Sequence, residues 1–206
     1  MNQMISFADK NYPKKLKEIK NPPQNIYYQG KITWNNPCLG VIGSRDCLIE
    51  NKDTCLRIIK DLPREFVIVS GLARGIDSFA HLAAIKTGKT TIAVLPSGIE
   101  KIYPKENENL AQKIVEENGL LISEYPSKIK PTKFSFIQRD RITAGLSSAL
   151  LVIEAQIKSG TMHTVKFAQE QGKTIYAVPG SKGTDYLILN GAIPVLSAHD
   201  IYFNKI

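Results

Sequence analysis

Six short apolar runs with little polar alternation recur along the chain: CLGVIGS (38–44), EFVIVSG (65–71), TTIAVLPSG (90–98), GLLISEY (119–125), ALLVIEA (149–155) and KTIYAVPG (173–180). A strand wetted on one face alternates apolar and polar positions, so runs like these fit strands covered on both faces. Between them the period changes. DSFAHLAAIKT (77–87) has helical spacing, with Asp77 as the expected N-cap and Gly88 as the stop. Residues 105–118 are charged and amphipathic, and TMHTVKFAQEQ (161–171) ends at Gly172. Strands and helices in this alternation predict an α/β fold with a doubly wound, mostly parallel sheet.

Residues 1–36 read as an N-terminal lead-in and residues 37–206 as the core. NYPKKLKEIKNPP predicts one short helix that stops at Asn21-Pro22-Pro23. Each core strand closes in small, polar or charged residues: GSR (43–45), SGLARG (70–75), PSG (96–98), SEYP (123–126), EAQIKSGT (154–161) and PGS (179–181). In open parallel sheets the ligand crevice lies at the carboxyl ends of the strands, so these turns are expected to gather on one edge. VSGLARGID (69–77) poses the question most sharply. Its glycines let another group approach the backbone, and Arg74 stands beside a helix start, which together predict one wall of an anion site.

The other turns carry related chemistry. Gly43-Ser44-Arg45 offers an open backbone, a hydroxyl and a forked cation. It is neither a dinucleotide fingerprint nor a phosphate-binding loop of the nucleotide-triphosphatase kind. Ser159-Gly160-Thr161 opens a helix, where it acts either as an anion cradle or as a simple cap. In SKIKPTKFSFIQRDRITAGLS (127–147), Lys128, Lys130, Lys133, Arg139 and Arg141 are interleaved with Phe134 and Phe136. Cations neutralise phosphates and rings stack on unpaired bases. The competing reading docks the rings on the core and leaves the cations in water.

Composition adds limits. The 206 residues are 43% hydrophobic and 22% charged, an ordinary globular balance. No apolar run is long enough to span a membrane, and the first residues lack a signal-peptide core. Cys38, Cys47 and Cys55 form neither a disulfide framework nor a metal motif, which points to a cytoplasmic setting. The net charge of +8 suits a polyanionic partner or plain solubility. His81, His163 and His199 lack metal-ligand spacing, so no metal or cofactor is expected, and His81 is expected to be packed against the sheet. Ser70 and Ser97 have no evident base partner, and Glu124 and Glu154 are expected to pair with Arg45, Arg74 or Arg139.

The ordered set GSR, SGLARGIDSFAH, GKTTIAVLPSGIEKIYP, LLISEYP, FIQRDR, AGLS, VIEA…SGT and YAVPG resembles the DNA-processing protein A family, also called Smf or DprA, over residues 38–195. The resemblance implies a Rossmann-like core, a homodimer, and no enzymatic activity. It implies single-stranded DNA binding and delivery of that DNA to a RecA-type recombinase in natural transformation. It also implies that Arg45, Lys133, Phe136 and Arg139 line the DNA pocket; Ser44, Arg74, Arg141, Ser159, Gly160 and Thr161 are added to the expected DNA-binding set from their crest positions. The family's usual Arg-Asn-Arg is Arg139-Asp140-Arg141 here, a carboxylate expected to weaken phosphate binding. His163 stands where an aliphatic is usual. Two alternatives share the fold: a nucleotide-sensing module, and a nucleoside-monophosphate phosphoribohydrolase. The second needs a glutamate where this chain has Thr164.

Overall fold

The computed structural model describes residues 3–201. In chain order the elements are β1 (Gln3–Ser6), α1 (Lys14–Lys17), β2 (Asn25–Gly30), β3 (Cys38–Gly43), α2 (Ile49–Asp61), β4 (Val67–Ser70), α3 (Ile76–Lys86), β5 (Thr91–Leu95), α4 (Glu108–Glu116), β6 (Leu120–Ser123), α5 (Lys133–Leu146), β7 (Ala149–Glu154), α6 (Thr161–Glu170), β8 (Thr174–Ala177), α7 (Lys182–Leu189) and β9 (Ile193–Pro194). The described residues form a nine-stranded sheet in the order β1-β2-β6-β5-β4-β3-β7-β8-β9. From β6 to β9 every neighbouring pair is parallel; β1–β2 and β2–β6 are antiparallel. The six apolar runs are β3 to β8, and the fold is the mostly parallel α/β sheet that their pattern predicts.

Successive side chains of a strand point to opposite faces, and both faces here are covered. Leu39 and Val41 of β3 pack with Cys55, Ile58 and Ile59 of α2 and with Ile76 and Ala80 of α3. On the other face Cys38, Val67, Val69, Ile92 and Val94 meet Ile142 and Leu146 of α5. The expected boundary near residue 36 is crossed by this packing. Ile5, Leu16, Ile19, Ile26 and Trp34 belong to the same cluster as α5, and β2 extends the sheet through β6. Gly145 of α5 lies so close to Leu16 and Ile19 that a Cβ there would collide with both.

The chain runs from β3 through β4 and β5 to β6 in one direction, then returns to the other side of β3 to lay down β7 and β8. The loops after β3 and β7 therefore leave the sheet in opposite senses. That divergence opens a crevice at the carboxyl ends of two adjacent strands, the switch point where open α/β sheets hold ligands.

Candidate nucleic-acid interface

The crevice is a cleft of about 470 Å³ at this switch point. Ser44, Arg45 and Asp46 after β3 form one side, and Gln156, Ser159, Gly160 and Thr161 before and into α6 form the next. Thr161 Oγ1 donates to Gly43 O at 3.0 Å, tying the two sides together. Helix α5 supplies the third side with Lys133, Phe136, Ile137, Arg139 and Asp140. Across from it Tyr103 meets Phe136 edge-on, with ring centroids 5.3 Å apart. The Arg45 guanidinium lies 5.8 Å from the centroid of the same Phe136 ring. Arg45 and Lys133 are exposed, and neither is in an ion pair among the described residues.

The order of α5 explains the aromatic-basic segment. Thr132 and Ser135 form a capping box: Thr132 Oγ1 accepts from Ser135 N at 3.1 Å, and Ser135 Oγ accepts from Thr132 N at 2.8 Å. The helix so fixed puts Lys133, Phe136, Ile137 and Asp140 on one side, toward the cleft, at helical spacing. Eight of the ten residues expected at the DNA site line this space: Ser44, Arg45, Lys133, Phe136, Arg139, Ser159, Gly160 and Thr161.

The remaining two stand elsewhere, and Arg139 sits differently from the expectation. Arg141 is buried away from the cleft, with Nη1 and Nη2 on Glu124 and Nε on Asn21 O at 2.9 Å. Arg74 is exposed beside the cleft and pairs with Glu106, not with Glu124 or Glu154. Arg139 is only 5% exposed. Its Nη1 donates to Gly71 O and to Val94 O, and its Nε to Asp140 Oδ1 at 2.9 Å. It forms the floor of the cleft and joins the ends of β4 and β5. Asp140 is thereby a partner of Arg139 rather than a free carboxylate facing a ligand, and burial pushes its carboxyl above the usual range.

The glycines of VSGLARGID have concrete packing roles. Gly71 leaves room for the Arg139 guanidinium, which occupies the space a Cβ would need. Gly75 has φ 71° and lies against the carbonyls of Ser44 and Arg45, so it seats one crest loop on the other. Two backbone donors of this loop turn inward: Gly71 N and Ala73 N donate to Asp77 Oδ2 at 3.1 and 3.4 Å. Asp77 is therefore not the cap of α3, which starts after Gly75; its carboxylate is the anion that the loop wraps. Burial raises its pKa, with the Arg139 charge opposing. Glu154 likewise is in no ion pair with an arginine among the described residues. Its Oε2 accepts from Leu48 N at 3.0 Å and Asn51 Nδ2 at 2.7 Å, holding the start of α2 behind Arg45.

Tyr103 was not expected at the site: it lies within the GKTTIAVLPSGIEKIYP stretch, but only the fold of the loop between β5 and α4 brings its ring to Phe136. His163 is exposed on the cleft rim. His81 lies behind the floor and is fully buried. Thr91 Oγ1 gives its proton to Ile68 O, so His81 Nδ1 is the donor in the 2.7 Å contact with that oxygen. Nε2 then carries no proton and has no hydrogen-bond partner among the described residues. Burial, with the charge of Arg139 second, pushes the imidazole down to about 3, so it is neutral and packed, as expected. No group of metal-ligating side chains occurs among the described residues.

The family model for DNA recombination-mediator protein A matches residues 3–204. The chain belongs to this family. It is 39% identical to a DNA processing protein DprA of Streptococcus pneumoniae, over 96% of this chain and 72% of that protein. It is 38% identical to the Bacillus subtilis protein of the same name, over 96% of this chain and 69% of that one. The solved DNA processing protein A of S. pneumoniae superposes with a TM-score of 0.94 at 38% identity, covering 99% of this chain and 74% of that one. A second DNA processing protein A, from Helicobacter pylori, superposes with a TM-score of 0.88 at 30% identity, covering 97% of this chain and 93% of that one; its structure is described for that protein's single-stranded DNA binding mode. A molybdenum cofactor binding protein of Rippkaea orientalis shares the fold alone, at 18% identity and a TM-score of 0.58. No helix among the described residues is long and apolar enough to cross a membrane.

Proposed function

We propose that the cleft binds single-stranded DNA with little sequence choice, and that the protein delivers it to a RecA-type recombinase during natural transformation and recombination. One observation carries the reading: Arg45 and Tyr103 both lie against the Phe136 ring inside a cleft that also holds Lys133 and the start of α6. Cations beside a ring suit a phosphate next to an unpaired base, a pairing that a duplex, with its bases stacked inside, does not offer. The Ser44 hydroxyl and the backbone N–H groups of Gly160 and Thr161 at the start of α6 then supply donors to a second phosphate, while the Ser159 and Thr161 hydroxyls hold the loop through Gln156 O and Gly43 O. The H. pylori relative, with its described single-strand binding mode, supports the same reading. The family's name as a recombination mediator supports the delivery step. Titrations with oligo-dT, duplex of equal length and mononucleotides at several salt concentrations test it. Oligo-dT should bind tightest and weaken steeply with salt; equal or tighter binding to blunt duplex overturns the reading.

In this reading the protein is a cytoplasmic binding protein without turnover. Thr164, 4% exposed on the cleft wall, stands where N-glycosidic cleavage needs a carboxylate. Asp77 and Asp140 border the cleft but are held by backbone N–H groups and by Arg139. Free base released from a nucleoside monophosphate in proportion to protein would refute this. The reading also includes a homodimer. In the stretch 186–196, Leu187 and Val195 are buried, whereas Tyr186, Leu189 and Leu196 are 45%, 86% and 67% exposed, an apolar patch for a second copy to cover. Light scattering should report a dimer that Leu189→Arg dissociates; a wild-type monomer at tens of micromolar would remove this part.

A further inference from the structure

Phe134 is 67% exposed on the first turn of α5, a position at which an isolated core helix would carry a polar residue. The capping box at Thr132 and Ser135 fixes the turn that holds it. The loop leading into it is pinned as well: Gly98 N donates to Ile129 O at 2.9 Å, Glu100 N to Ser127 O at 3.0 Å, and Ile129 N to Pro126 O at 3.0 Å. Gly98 also sits so close to Pro126 O and Ser127 O that any Cβ there would displace the loop. The surface is therefore built rather than loose. Ile129 and Ile137 add exposures of 46% and 38%.

Two further facts point to what it meets. Ile137 lines the cleft and stands three residues after Phe134, so the two are neighbours on the helix surface. An apolar strip thus runs out of the cleft from Phe136 over Ile137 to Phe134. Along the segment itself the charge has one sign. Lys128, Lys130 and Lys133 are exposed, and no Asp or Glu occurs between Pro126 and Arg139.

Resting on the reading of the cleft as a single-strand site, we propose that Phe134 is a second base-stacking platform. It receives a nucleotide of the same strand just outside the cleft, with Lys128 and Lys130 meeting the flanking phosphates. A ring that takes any base by its face keeps binding independent of sequence, and paired cations beside it follow the backbone. The strand then makes one continuous path, from the α6 side of the cleft across Phe136 and out over the start of α5.

Ligand length tests the path. Wild type, Phe134→Ala, Phe134→Tyr and Phe136→Ala are titrated with oligo-dT of about three and about fifteen nucleotides at one salt concentration. Phe134→Ala should bind the short ligand as wild type does and lose roughly five-fold or more on the long one, while Phe134→Tyr keeps both affinities. Phe136→Ala should lose affinity for both lengths. Because Phe134 is exposed, the thermal melts of its variants should match wild type. Unchanged binding of Phe134→Ala to both lengths overturns the proposal and leaves the strip to another macromolecule; equal losses on both lengths overturn it by placing Phe134 in the cleft. If wild type binds neither length, the cleft reading itself fails, a result distinct from either.

Discussion

Arg141 and Glu124 form a two-pronged ion pair, Nη1 to Oε2 at 3.0 Å and Nη2 to Oε1 at 2.5 Å. Through Nε the same guanidinium reaches Asn21 O, so one side chain joins α5, the end of β6 and the turn after α1. Its donors face inward, and none is aimed at the cleft. Breaking a buried pair by removing one partner costs roughly 3–5 kcal/mol. Glu124 keeps 23% of its side chain in water, so the lower end applies. Arg141→Ala should lose about 3 kcal/mol in urea melts, while the folded fraction binds oligo-dT with the wild-type salt dependence. A normal melt with lost affinity would put Arg141 on the DNA.

Arg139 is expected to be costlier and sensitive to pH. Without it Asp140 and Asp77, both buried, lose their nearby cation. Burial already raises both carboxyls, so the folded state holds their protons to higher pH than the unfolded chain does. Where the folded state binds more protons, stability rises as pH falls. Removing Arg139 raises both groups further and widens that window. Arg139→Met should therefore be destabilised by roughly 3–5 kcal/mol near neutral pH and recover part of the loss at about pH 5. A loss independent of pH would show that these carboxylates do not depend on Arg139.

His81 gives the opposite sign. Its folded pKa of about 3 lies below the ordinary 6.5, so only the unfolded chain takes up the proton between those values. Its contribution to stability is complete above pH 6.5 and declines toward pH 3, by up to about 1.4 kcal/mol per pH unit. His81→Asn, which keeps a donor for Thr91, should show a flatter fall of stability from about pH 7 to about pH 5 than wild type. Identical slopes would mean that His81 titrates normally.

The strands were legible because burial on both faces leaves one mark, an unbroken apolar run, and β3 to β8 all carry it. The switch-point cleft followed from the small and charged residues at their ends. Helix α5 was hidden for a physical reason: its buried face carries Ser135, Arg139, Asp140, Arg141 and Thr143, so no apolar period shows. Helix α2 was hidden because the carboxylate that holds its start, Glu154, lies 106 positions away. Distance in the chain also misplaced the ion pairs. Charge type marks Arg45, Lys133, Arg139 and Arg141 alike; only geometry separates the first two, exposed on the cleft, from the other two, whose hydrogen bonds are spent inside. The loop VSGLARGID has the glycines and helix start of an anion loop, and what its sequence does not show is that two of its N–H groups turn inward to Asp77.

In the proposed complex Arg45 holds a phosphate while Phe136 holds a base. The most direct measurement is the salt dependence of oligo-dT affinity for wild type, Arg45→Ala and Phe136→Ala. Removing a phosphate contact lowers affinity and reduces the slope of log affinity against log salt by about 0.7 for a single strand. Removing a stacking ring lowers affinity by roughly 1–3 kcal/mol and leaves the slope unchanged. Arg45→Ala and Phe136→Ala should give these two distinct signatures, with both variants melting near wild type because Arg45 is exposed and Phe136 only half-buried. A wild-type affinity and slope in both folded variants would contradict that complex.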